Sequence, residues 1–150
     1  MAVTFSTSVP FIEAEFGRRL KRVLRTNAAF ELIPWAEGWT SGGCWVLAEA
    51  LYRYLHPNVR KVAMVGPNGV DHVLVVTKTG IFFDGDGAST RSGLLKRWAN
   101  LGYPRMRLEP FSSEAAEQRG ITCHAWHPKE AESFLRKRLG PPPFVGGSSH

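Results

Sequence analysis

A chain of 150 residues with 43% hydrophobic content is long enough to build one full core and short for two, and it carries a formal net charge of +6. No run is apolar for long enough to cross a bilayer, and MAVTFSTSVPFIEAEFGRR lacks the basic-then-apolar order of a secretory signal, so no membrane partner is expected. The two cysteines, Cys44 and Cys123, are too few for a disulfide scaffold, which favours a reducing, cytoplasmic setting.

Ser8 and Pro10 mark a helix start, and Phe11, Phe16, Leu20, Val23 and Leu24 then recur near helical spacing up to Thr26 and Asn27. Residues 28–43, containing PWAEGWTSGG, read as a loop. In CWVLAEALYRYL, Cys44, Leu47, Ala48, Leu51 and Leu55 share one face, the spacing of a helix laid against a sheet with Cys44 inward. VRKVAMV, VDHVLVV and IFF are rich in β-branched and aromatic residues and are separated by GPNG and TKTG, which predicts a three-strand meander. STRSGLLKRWANLG predicts a helix capped by Ser89 or Ser92, RMRLEPF a fourth strand, SSEAAEQRG a short helix and ITCHAW a fifth strand. A last helix runs from Pro128, a favourable first-turn residue, to Gly140. The tail PPPFVGGSSH, residues 141–150, reads as unstructured, with GGSSH resembling a linker and tag remnant. The expected fold is a single α+β domain over residues 1–140, a small antiparallel sheet packed against an N-terminal helix pair. Basic residues fall in RRLKRVLR, LLKRW and RKRL with apolar residues between them, the pattern of solvated helix faces rather than of a nucleic-acid footprint.

The order of elements brings distant residues to one end. The Cys44 helix runs about 17 Å from its start at 1.5 Å per residue, and the following strand returns over a similar distance, so GPNG reverses the chain near the helix N-terminus. Asp71 and His72 follow there, and the next hairpin returns Asp84 and Asp86 to the same end. The position of Gly80 in TKTG suits a type I turn with a G1 bulge, which pairs Thr77 with Ile81, Leu74 with Asp84 and His72 with Asp86. Both aspartates then share the face of His72. A thiolate at Cys44 is favoured by a helix N-terminus and by a neighbouring imidazolium. Asp86, with Asp84 as the close rival, is expected to orient the His72 ring. The Cys44 N–H, helped by the loop from Trp39 to Gly43, is where an oxyanion would sit, with Gly42 and Gly43 permitting close approach of an acyl group.

Gly42-Gly43-Cys44-Trp45 resembles the nucleophile motif of papain-like proteases, in which a glycine and a small residue precede a Cys-Trp pair opening the central helix. Cys44, then His72 on a strand, then an acidic residue ending the next strand is similar to the order shared by papain-like, transglutaminase-like and arylamine acetyltransferase-like enzymes. The resemblance covers roughly residues 37–87. It implies a papain-like or transglutaminase-like core and a cysteine hydrolase or transferase acting through a thioester on a protein or peptide, without a cofactor. The interval from Cys44 to His72 is shorter than in papain, and the single glutamine, Gln118, lies downstream of Cys44.

DGDGASTRSGLL places Ser89 and Leu95 where a calcium loop needs glycine and glutamate. Cys123, His124 and His127 offer three zinc ligands without a clear fourth, so no metal is expected. Trp39 and Trp45 are candidates for a pocket wall, with Trp35 nearby. The alternative to an enzyme is a non-catalytic binding module, of the immunity, inhibitor or adaptor kind known from bacteria and phages, in which Cys44 is packed and the aromatic loop meets a protein partner. The sequence carries no signal of oligomeric state.

Overall fold

The computed structural model describes residues 8–111 and 128–144. Helix α1 (Phe11–Leu24) buries Phe16, Gly17, Leu20 and Leu24, a single stripe at helical spacing. A short helix α2 (Asn27–Phe30) follows, capped by the Thr26 hydroxyl accepting from the Ala29 N–H at 3.3 Å. That turn lies within the stretch expected to be a loop from residue 28 onward; its signal is the Thr26 cap, which competes well because a threonine oxygen satisfies an otherwise unpaired N–H. Helix α3 (Cys44–Leu55) is buried on most sides, including Val46, Ala50 and Tyr54 as well as the expected face.

Strands β1 (Val59–Gly66), β2 (Gly69–Thr77), β3 (Phe82–Asp84), β4 (Gly87–Ser89) and β5 (Arg107–Pro110) form one sheet in the order β4-β3-β2-β1-β5, antiparallel throughout. The expected meander is β1 to β3. Strand β4 was not anticipated, because three residues of Gly-Ala-Ser carry no strand periodicity; it forms because α1 crosses it at Gly17, where a Cβ would stand 2.5 Å from the Ala88 nitrogen. Helix α4 (Arg91–Asn100) is capped by Thr90, whose hydroxyl accepts from the Gly93 N–H at 3.1 Å, instead of by Ser89 or Ser92. Helix α5 (Pro128–Leu139) ends as expected just before Gly140.

The sheet is covered on both faces. One core joins α1, α3 and α5 to Val75 and Phe83; the other packs Leu94 and Trp98 of α4 on Val62, Met64, Leu74, Val76 and Phe82. The nearly continuous apolar runs of β1 and β2 are the sequence mark of that two-sided burial. The domain extends past residue 140: Phe144 lies 5.3 Å from Phe16 and 5.6 Å from Phe83, and Tyr54 donates its hydroxyl to the Gly140 carbonyl at 2.6 Å. An aromatic ring that can fill the core outweighs the chain entropy of four residues beside a triple proline. The expected helix at 112–120, the strand at 121–126, the Cys123, His124 and His127 group, and the end of the tail lie outside the described residues. Among those described, no helix is long and apolar enough to cross a membrane.

Candidate active site

The β2–β3 hairpin has the expected register. The Thr77 N–H donates to the Ile81 carbonyl at 2.9 Å and the Gly80 N–H to the Thr77 carbonyl at 3.0 Å, with Gly80 at φ +87°. Val75 pairs with Phe83 and Val76 with Phe82. Continuing that register sets Asp84 opposite Leu74, so Asp84 is the diagonal neighbour of His72 on one face. His72 Nε2 lies 2.9 Å from Asp84 Oδ2. Asp86, the slightly favoured partner, is not the one on the imidazole. The strand ends at Asp84 and the chain turns through Gly85 and Asp86 into β4, which directs the Asp86 carboxylate to Arg97 at 3.6 Å.

Asp84 is itself held from three sides. Its Oδ1 accepts from the Asp86 N–H at 2.9 Å, and its Oδ2 also accepts from Arg97 Nη2 at 3.3 Å. Arg97 Nη1 donates to Ser89 Oγ at 3.0 Å. The guanidinium therefore ties α4 to the turn between β3 and β4. Arg97 was expected on a solvated basic face, and the signal that places it inward is weak: Leu94 and Trp98, one turn apart on α4, mark the buried side next to it.

His72 is fully buried and stacks at 4.9 Å between ring centroids on Trp98. Burial is the largest influence on its pKa and pushes it down; the hydrogen bond and charge of Asp84, with Cys44 as the lesser influence, overcome burial and raise it from 6.5 to about 9. Asp84 takes Nε2, and the buried Nδ1 has no hydrogen-bond partner of good geometry among the described residues, Cys44 included.

Cys44 opens α3. Its N-cap is Gly43, which has no side chain to cap the first turn, so no cap competes for the N–H groups there. Gly43 is required by space: a Cβ would stand 2.8 Å from Ile33 Cδ1 and 2.9 Å from the Gly38 carbonyl, which the Gly43 N–H already uses at 3.0 Å. Gly42 is required by conformation, at φ +95°.

Cys44 is only 5% exposed, and what it exposes faces a cleft of about 430 Å³. Thr40, Ser41, Gly42 and Trp45 line one part, Asp71 and Asp86 another, and Trp98, Leu101 and Tyr103 the rest. Trp45 is thus the expected pocket wall. Trp39 is not: it is buried in the core beneath the loop, with its indole Nε1 unsatisfied among the described residues. Asp71 reaches the cleft through a bulge, since Met64 pairs with His72 and Val65 with Val70, leaving Asp71 as the extra residue. Asp71, Trp98, Leu101 and Tyr103 were not singled out as site residues in the sequence.

Compared with protein-family models, curated proteins and solved structures, the chain gives no significant match.

Proposed function

We propose that the protein is a cysteine-dependent acyl-transfer enzyme with Cys44 as nucleophile, His72 as acid and base, and Asp84 as the group that orients and charges the imidazole. The observation that carries this reading is the buried His72, bonded through Nε2 to Asp84 and raised to about 9 with its Nδ1 unpartnered among the described residues, beside a cysteine that opens an uncapped helix into a cleft. With the thiol's proton carried by His72, Cys44 reacts as a thiolate beside an imidazolium. The thiolate adds to an acyl carbon, and the Cys44 N–H receives the developing oxyanion charge. His72 then gives its proton to the departing amine as the C–N bond breaks, leaving a thioester on Cys44. A water, or an amine in transfer, loses its proton to His72 as it attacks the thioester and releases the thiol. The overall topology of this reading is papain-like or transglutaminase-like, and its substrate is an amide of a protein or peptide.

The test is the pH dependence of Cys44 alkylation by iodoacetamide in the folded protein, with Cys44→Ser to isolate that thiol from Cys123 and His72→Ala to break the pair. Rapid labelling that persists well below the usual thiol pKa of about 8.5, and that changes with His72→Ala, is expected. Labelling only on unfolding would defeat the proposal. The second reading, a non-catalytic binding module, draws on the cleft rim, where Leu101 and Tyr103 are 65% and 45% exposed. It requires partner binding to survive Cys44→Ser.

A further inference from the structure

Resting on the acyl-transfer reading, we infer that the cleft selects substrates carrying a cationic group, a lysine-like or arginine-like side chain or a protonated amine, next to the acyl group presented to Cys44. The protein as a whole is basic, with a net charge of +6, yet the charged side chains lining this cleft are both aspartates, Asp71 and Asp86. Asp71 makes no ion pair with any described residue and is exposed where the β2 bulge turns it out. Asp86 is 41% exposed and shares Arg97 with Asp84, so one guanidinium serves two carboxylates. Three aspartates, one guanidinium and one imidazolium surround the nucleophile, an excess of negative charge.

The rest of the wall is aromatic. Trp45 stands edge-on to Phe111 at 4.9 Å, and Trp98 edge-on to Tyr103 at 5.3 Å, which fixes their ring planes beside the aspartates. Carboxylates next to aromatic faces bind an alkylammonium or guanidinium through charge and through the ring quadrupole while the rings take the aliphatic stem. An acidic substrate meets repulsion from the same groups. The unpartnered, buried Nδ1 of His72 marks where the reacting group belongs, and Asp71, its chain neighbour, marks where the cation sits.

The experiment uses the full chain as Cys44→Ala, in which turnover is absent whatever Cys44 does, and reads binding by tryptophan fluorescence. Three probes differ at one position: acetyl-Ala-Lys-Ala-amide, its norleucine analogue and its glutamate analogue. The lysine probe is expected to bind about tenfold more tightly than the norleucine probe at low salt, the sum of one screened ion pair and one cation–π contact. The glutamate probe is expected to bind more weakly than either. The preference should fall to about twofold in Asp71→Asn/Asp86→Asn and at high salt. Equal binding of the lysine and norleucine probes, no binding of the lysine probe at millimolar concentration, or a preference that survives the double substitution would each overturn the inference. Alkylation of Cys44 in the parent protein reports separately on catalysis: an inert thiol with a lysine preference intact sinks the enzyme reading and leaves a cation-binding cleft.

Discussion

Replacing Asp84 by Asn removes a charge while keeping size and an oxygen that accepts from His72 Nε2. In the parent protein burial opposes the imidazolium and Asp84 is foremost among the groups that overcome it, so the His72 pKa stands at about 9. The interval from 6.5 corresponds to about 3 kcal/mol of preference for the charged ring. With the carboxylate neutralised, only Cys44 opposes burial, and the pKa is expected to fall towards 6.5 or below it. The assay is the imidazole carbon-bound proton shift of His72 followed by NMR through the neutral and alkaline range in both proteins. The sign of the linked stability follows from the raised folded-state value: the His72 contribution is fully present below the unfolded pKa of 6.5 and is lost as pH rises through about 9. Asp84→Asn should therefore be less stable than the parent by about 3 kcal/mol in mildly acidic solution, with the gap closing above pH 9. Neutral-pH alkylation of Cys44 should slow at least about tenfold, the equivalent of one pKa unit. A variant whose His72 still titrates near 9 would refute the assignment of Asp84, and a stability gap that widened with pH would refute the sign.

Gly17→Ala should destabilise by about 1–3 kcal/mol although alanine is the better helix former by about 1 kcal/mol, because its Cβ would meet the Ala88 backbone nitrogen at 2.5 Å; urea unfolding checks the sign. Gly43→Ala has permitted dihedral angles, φ −93° and ψ −3°, but collides with the Gly38 carbonyl and Ile33, so thermal stability and the Cys44 alkylation rate should fall together. Leu51→Ala, fully buried between the helices, should lose about 2–5 kcal/mol, whereas Phe11→Ala, at 77% exposure, should stay within about 0.5 kcal/mol in the same denaturant series.

Much of the site was legible because period-two alternation and one turn carry long-range information. Gly80 identified the bulged turn, and the turn set the register that brings Asp84 and His72 to one face. The choice between Asp84 and Asp86 was not legible, because it depends on where β3 stops, and DGDG suits a strand end or a turn equally. Strand β4 and Phe144 were hidden for a related reason. Each is ordered by what α1 presents to it, Gly17 in one case and Phe16 in the other, and neither has a local pattern of its own. Arg97 is not legible because a basic residue on an amphipathic helix is usually solvated, and only the fold supplies the two carboxylates that draw it inward.

The candidate triad draws on opposite layers of the molecule. Cys44 belongs to α3, which packs with α1 and α5 on the face of the sheet that carries Val75 and Phe83. His72 pairs with Met64 and belongs to the other face, stacked on Trp98 of α4. Neither core alone can bring them together. They meet at the end of the sheet, where the bulge at Asp71 twists β2 beside the α3 N-terminus and where Arg97 of α4 holds the β3–β4 turn. Both layers must be docked for His72 to have Asp84 on one nitrogen and Cys44 by the other, so the imidazole pKa is a probe of tertiary assembly as well as of the site. A partly unfolded form in which α4 detaches would expose His72 to water, free Arg97 from Asp84 and return the ring towards 6.5 while leaving the Cys44 helix in its core.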